Sequence, residues 1–297
     1  MITSLDCLPC LVRQAIDTAK RVGVPPAGQQ TLVQEVLHLL STVDLRQPSP
    51  LIGQRIQRLI REMVQQDDPY RAIKAESNAR ALERLPHLRE TVHSADDPLA
   101  MAIRVAIAGN IIDYGAKRDV DQDGIETALT RALAMPLAPN TLAAFRQGVT
   151  EAASILYLAD NAGEIVFDRV LIECLPREKV TVVVRGAPVI NDATRVDAAA
   201  VGLDTLVTVI DNGSDIPGTV VDQCSPTFQA RFAAADVVIA KGQGNFETLS
   251  EVERPIYYLF VAKCLIVAHQ IGCAVDTPIF QYLGALEHTM RRSVACQ

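Results

Sequence analysis

The chain has 297 residues, a net charge of −7, and 49% hydrophobic against 21% charged residues. That balance describes a compact folded protein. Its negative sign argues against a nucleic-acid backbone as partner, but not against small anions, whose binding a local cation decides. No apolar run reaches the roughly 20 residues of a membrane span, so no membrane partner is expected. The N-terminus also lacks the basic start of a secretory leader. Seven scattered cysteines make a poor disulfide framework and point to a reducing cytoplasm. Oligomeric state is not legible.

Residues 5 to about 150 read as helical. Leu32, Val36, Leu37, Leu39 and Leu40 recur at helical spacing, as do Ile52, Ile56, Leu59, Ile60 and Met63. Breakers at Gly23 to Gly28, Gln47 to Pro50, Asp67 to Pro69 and Asp96 to Pro98 divide this half into several helices. From about residue 150 the texture changes. β-Branched runs at 154–159, 180–184, 205–210, 236–240 and 257–262 alternate with helical stretches, the pattern of βαβ units and a parallel sheet. The expected fold is α/β: a helical cap region over 1–150 and a Rossmann-like layer over 151–297, forming one cooperative body.

Three strands run out into polar clusters. Asp160-Asn161-Ala162-Gly163-Glu164 follows the first, Asn191-Asp192 follows the second, and Lys241-Gly242-Gln243-Gly244-Asn245-Phe246-Glu247 follows the fourth. In an open parallel sheet the carboxyl ends share one edge, where ligands bind. Asp160 and Asp192 are hard oxygen donors and Asn161 is a neutral one, a set suited to Mg²⁺ or Mn²⁺. Read singly, Asp160 is equally a helix cap and Asn191-Asp192 a turn. Gly163 lets backbone approach closely, and Glu164 begins a helix where a carboxylate is favoured.

The Lys241 segment is neither a Walker A loop nor a dinucleotide fingerprint, because the lysine precedes the glycines and Glu247 replaces the third glycine. Gly242 and Gly244 could still offer backbone N–H groups to phosphate, with Lys241 as a point charge. In the helical half, Asn110 and Asp113 stand at i and i+3 inside an apolar stretch and share a helix face. They read as a pair facing the crevice or as a structural hydrogen-bond pair. Cys7 and Cys10 form a Cys-x-x-Cys without a second half, and Cys264, ending the fifth strand, is a candidate third member of a small metal site. The five histidines show no ligand spacing.

Taken in order, Asn-x-x-Asp, Asp-Asn-Ala-Gly-Glu, Asn-Asp-Ala-Thr and Lys-Gly-Gln-Gly-Asn-Phe-Glu resemble the metal-dependent damage-control phosphatases. The short length and Cys-x-x-Cys resemble their compact stand-alone prokaryotic subfamily. The resemblance covers nearly the whole chain. It implies an α/β/α Rossmann-like layer with a helical cap, and hydrolysis of phosphomonoesters of small metabolites. It also implies metal ligation by Asp160, Asn161 and Asp192, with Asn110, Asp113, Lys241 and Asn245 lining the phosphate and substrate pocket.

The expected chemistry is phosphoryl transfer to water assisted by Mg²⁺, Mn²⁺, Co²⁺ or Ni²⁺ on Asp160, Asn161 and Asp192. Lys241 and the following backbone would hold phosphate oxygens, and Asp113 would orient water or a sugar hydroxyl. Glu164 would complete the substrate pocket. Direct attack by Asp160 ranks lower, since Ala162 breaks the Asp-x-Asp pattern of aspartyl-phosphate enzymes. Two alternatives stay open: a non-catalytic metal- or metabolite-binding protein, and a methyltransferase using an adenosyl donor.

Overall fold

The computed structural model describes residues 1–112 and 129–284. Five helices come first: α1 (Cys7–Arg21), α2 (Pro26–Thr42), α3 (Ser49–Val64), α4 (Arg71–His93) and α5 (Pro98–Ile112). After α6 (Pro139–Glu151) the chain alternates: β1 (Ile155–Leu158), α7 (Glu164–Glu173), β2 (Val180–Val184), α8 (Arg195–Ala200) and β3 (Thr208–Asp211). It continues with α9 (Pro226–Ala234), β4 (Val237–Lys241), α10 (Gly242–Leu249), β5 (Ile256–Ala262), α11 (Leu265–Ile271) and β6 (Thr277–Leu283). No helix among the described residues is long and apolar enough to cross a membrane.

The sheet order is β3-β2-β1-β4-β5-β6, parallel except for the antiparallel edge strand β6. Strand order reverses between β1 and β4, the switch point at which such sheets bind ligands. The mostly parallel α/β sheet matches expectation. The third strand lies slightly later than expected, and β6 was not anticipated. Pro278 and the half-buried alternation of β6 suit an edge, and a half-buried edge strand gives a weaker apolar signal than a buried one.

Alternation along the strands splits the core in two. Ile155 and Tyr157 of β1, Val182 and Val184 of β2, and Ile239 of β4 face one cluster. Leu156 and Leu158, Val183, and Val238 and Ala240 face the other. The second face is covered by α9, α10 and α11, through Phe228, Phe232, Phe246, Leu249 and Val267. The first is covered by α7 together with α4, α5 and α6. The helical half therefore divides differently from the expected cap of residues 1–150. Among the described residues, α1, α2 and α3 build a small core of their own, from Leu11, Ala15, Leu32, Val36, Ile52, Ile56 and Ile60. Helix α5 is mostly apolar, with Arg104 and Asn110 its polar exceptions, and packs against α7 and β5.

The small helical core is pinned to the sheet edge by charge. Asp215, in the loop after β3, accepts hydrogen bonds from Gln54 at 2.5 Å and from Arg58 at 2.6 and 2.9 Å. Arg61 adds a fourth at 2.6 Å and also donates to the Pro188 carbonyl.

Candidate active site

The loops after β1 and β2 are zipped together. Asn161 and Asp192 form an isolated antiparallel bridge. Ala162 N donates to Asn191 O at 2.9 Å and Ala193 N donates to Asp160 O at 2.8 Å. The bridge joins Asp160, Asn161 and Asp192 into one corner at the switch point. Helix α4 clamps the same loops from outside. Asn78 accepts from Gly163 N at 2.7 Å and donates to Asp197 at 3.1 Å, and Lys74 reaches Asp197 at 3.1 Å. Asp197 completes a capping box with Thr194 at the start of α8, so the helix following Asn191-Asp192 starts at a fixed point.

Within the corner, donors and acceptors are allotted narrowly. Asn161 gives both amide hydrogens to carboxylates, Asp160 Oδ2 at 2.7 Å and Glu164 Oε2 at 3.0 Å. That fixes the amide so that its carbonyl oxygen is the end offered to a cation. Asn110, fully buried on α5, donates to Glu164 Oε2 at 2.8 Å and Asp160 Oδ2 at 3.3 Å, and accepts from Val261 N at 3.1 Å. It thus faces the site carboxylates across the sheet edge. Its expected neighbour Asp113 lies outside the described residues. Gly242, with φ +78°, sits where any Cβ would collide with the Asp160 carboxylate. Only glycine allows that approach.

Burial, followed by the charges of Glu164 and Asp192, pushes the Asp160 carboxyl well above the usual range. A buried acid crowded by like charges is a site that a divalent cation stabilises. Two carboxylates, an oriented amide oxygen and a glycine cradle fit a hard cation of the Mg²⁺ type.

Several expected phosphate contacts belong elsewhere. Lys241 is completely buried, and its ammonium donates to Ala106 O at 2.8 Å, Glu164 Oε1 at 2.7 Å and Asp168 Oδ1 at 2.5 Å. All three donors are used, so Lys241 neutralises the floor of the site and does not contact phosphate. The reason is strand alternation: Val237, Ile239 and Lys241 share the face covered by α5 and α7. Burial pushes Glu164 up, but Lys241 and Lys263 outweigh it and hold the carboxyl below its usual range. Its oxygens are spent on Asn110, Asn161 and Lys241, so Glu164 is an internal brace and not a substrate contact. Burial raises Asp168 to about 7, and Tyr157 donates to it at 2.8 Å.

Asn245 is also spent internally, donating to Lys241 O at 2.7 Å and Ala159 O at 3.3 Å and accepting from Thr219 at 2.8 Å. Gly244 packs its Cα against the Pro217 carbonyl, where a Cβ would collide. Gly242 faces Asp160, so the start of α10 favours that carboxylate in place of a bound phosphate. The thiols do not form the expected second metal site. Burial pushes the Cys7 thiol up, with Glu247, Cys264 and Cys10 nearby, yet no group of three His, Cys, Asp or Glu residues among those described is arranged to hold an ion. Cys10 is exposed, and Cys264 accepts from Val267 N at 3.5 Å as the cap of α11.

Three further charged residues at this corner escape sequence reasoning. Arg185, 3% exposed, directly follows β2 and donates from Nε to Asp192 Oδ2 at 2.6 Å, with Nη2 3.6 Å from Asp160 Oδ1. Asp168 lies one helical turn after Glu164. Lys263 directly follows β5, and its charge reaches both Asp160 and Glu164. Arg185 and Lys263 follow the same rule that exposed Asp160, being polar residues just past a strand's carboxyl end.

A switch-point crevice lined by carboxylate and amide oxygens on a doubly wound sheet marks a class of ligand-binding α/β proteins. Within it, the chain belongs to the damage-control phosphatase ARMT1-like family, whose model matches residues 3–279. It is 34% identical over 281 residues to an uncharacterised protein of Methanocaldococcus jannaschii, covering 91% of this chain and 92% of that one. It is likewise 34% identical over 275 residues to a damage-control phosphatase of Archaeoglobus fulgidus, covering 91% and 95%. The crystal structure of a DUF89 family protein from Pyrococcus horikoshii superposes with a TM-score of 0.84 at 28% identity, covering 95% of this chain and 99% of that one. The family is one of phosphatases, which favours phosphoryl chemistry over the binding-protein and methyl-transfer alternatives.

Proposed function

We propose that this phosphatase hydrolyses phosphomonoesters of small metabolites, of sugar or nucleotide type, with a divalent cation held by Asp160, Asn161 and Asp192. Mg²⁺, Mn²⁺, Co²⁺ and Ni²⁺ all suit these donors. The observation that carries the reading is the Asn161–Asp192 bridge, which brings ligands from two strand ends to one corner. When bound, such an ion polarises a phosphoryl oxygen and acidifies water.

The chain's own residues do the rest. Asn161 and Asn110 hold Asp160 Oδ2 in place through their amide hydrogens. The Lys241–Glu164–Asp168 cluster beneath keeps that floor rigid and dry. Asp160 spends Oδ2 on two amides and turns Oδ1 toward Arg185, which suits a ligand better than a nucleophile and favours water as the attacking group.

The test is phosphate release from a panel of metabolite phosphomonoesters, using metal-stripped protein with and without each ion. Release only after restoring an ion is expected. Tight binding of one metabolite without any release would overturn the reading.

A further inference from the structure

With Lys241 consumed in the floor, the corner needs another cation to face phosphate, and one buried side chain has a donor to spare. The guanidinium of Arg185 is held at two of its three nitrogens. Nε donates to Asp192 Oδ2 at 2.6 Å, and Nη1 donates to Thr219 Oγ1 and Asn245 Oδ1, both at 3.3 Å. Nη2 is buried and has no hydrogen-bond partner. It points toward Asp160 Oδ1 but stops at 3.6 Å, beyond a good hydrogen bond. Buried polar groups are nearly always paired, so an orphan of this kind calls for a reason.

We propose that Arg185 grips the phosphoryl group, its Nη2 donating to a non-bridging oxygen. The proposal rests on the metal-phosphatase reading above. A planar guanidinium pinned at Nε and Nη1 holds Nη2 in a fixed direction, which a flexible lysine ammonium cannot do. That direction is the corner between Asp160 and Asp192, to which an oxyanion is drawn by a cation on those carboxylates. Charge-assisted hydrogen bonds of this kind are the strong ones in phosphate recognition. Asn245 and Thr219, read as substrate contacts or not read at all from sequence, are then positioning residues that aim the fork.

The experiment measures two affinities by calorimetry in the wild type, Arg185→Lys and Arg185→Met: Mn²⁺ alone, then inorganic phosphate at saturating Mn²⁺. Arg185→Met should hold Mn²⁺ as tightly as the wild type or more tightly, because a nearby positive charge is removed, and Arg185→Lys, which keeps the charge, within about threefold of it. Phosphate should bind about tenfold more weakly or worse. Unchanged phosphate affinity, with Mn²⁺ binding weakened instead, would reduce Arg185 to a brace for Asp192 and overturn the proposal. Failure of the wild type itself to bind phosphate with Mn²⁺ would strike the metal-phosphatase reading and not the role of Arg185 within it. Should both variants unfold, a wild-type structure with Mn²⁺ and phosphate decides. An oxygen about 2.7–2.9 Å from Nη2 supports the grip, and an Nη2 still facing only Asp160 refutes it.

Discussion

Asn161 and Asp192 meet in an antiparallel bridge although they end different parallel strands. This contact makes two loops into one ligand set. Asp192→Asn should therefore weaken Mn²⁺ binding about 10- to 100-fold. The asparagine oxygen still accepts from Arg185, so the fall in melting temperature should be only a few degrees. Calorimetric metal titration alongside thermal unfolding separates the two effects. A large stability loss with intact metal affinity would contradict the ligand role.

Lys241→Ala should act through stability. It leaves Glu164 and Asp168 buried without their cation, a loss of about 3–5 kcal/mol. Urea unfolding measures it, and adding Asp168→Asn should recover part by removing one stranded charge. A fully stable Lys241→Ala protein that merely binds phosphate poorly would restore the lysine to the substrate.

Asp215 makes a pH prediction. Burial pushes its carboxyl up, but hydrogen bonds from Arg58, Arg61 and Gln54 win and hold it well below the usual carboxylate range. A depressed folded value contributes stability that is present above the unfolded value of about 3.9 and is lost as pH falls through the folded one. Asp215→Asn should cost about 2 kcal/mol at pH 6, and the gap to wild type should close as the pH drops below about 4. Melting curves between pH 6 and 2 check this, and a gap that stays constant would contradict it.

Lys263 should show opposite effects on two ligands. Its positive charge bears on Asp160 and Glu164, so it repels a cation and attracts an anion. Lys263→Ala should tighten Mn²⁺ binding a few-fold and raise KM for a phosphomonoester by a similar factor, both fading with added salt. Parallel changes in the two would argue against a purely electrostatic role.

Much of this site was legible because chemistry and position coincide in it. Asp160, Asn161 and Asp192 are polar where buried strands end, and the sheet-edge rule gathers them. The errors came from reading composition without the two-residue period. Lys241 beside glycines suggests a phosphate contact, yet counting back through Ile239 to Val237 places it on a covered face. Arg185, next to Gly186, reads as an ordinary solvated turn, since nothing local reveals that Asp192 and Asn245 enclose it. Helix α5 carries its signal openly: a segment so largely apolar belongs inside a layer, not on a cap.

The insertion of Asn110 between β1's end and β5 has a bearing on how the molecule comes into being. The floor of the active corner joins the Ala106 carbonyl to Glu164 and Lys241, groups supplied by the early, middle and late parts of the chain. During synthesis α5 leaves the ribosome before α7, and the face it turns to β5 stays uncovered until that strand arrives. The catalytic corner is thus among the last features to form. A nascent chain halted before β5 would carry every proposed metal ligand, yet it would lack the backbone of Val261 that holds Asn110 in place.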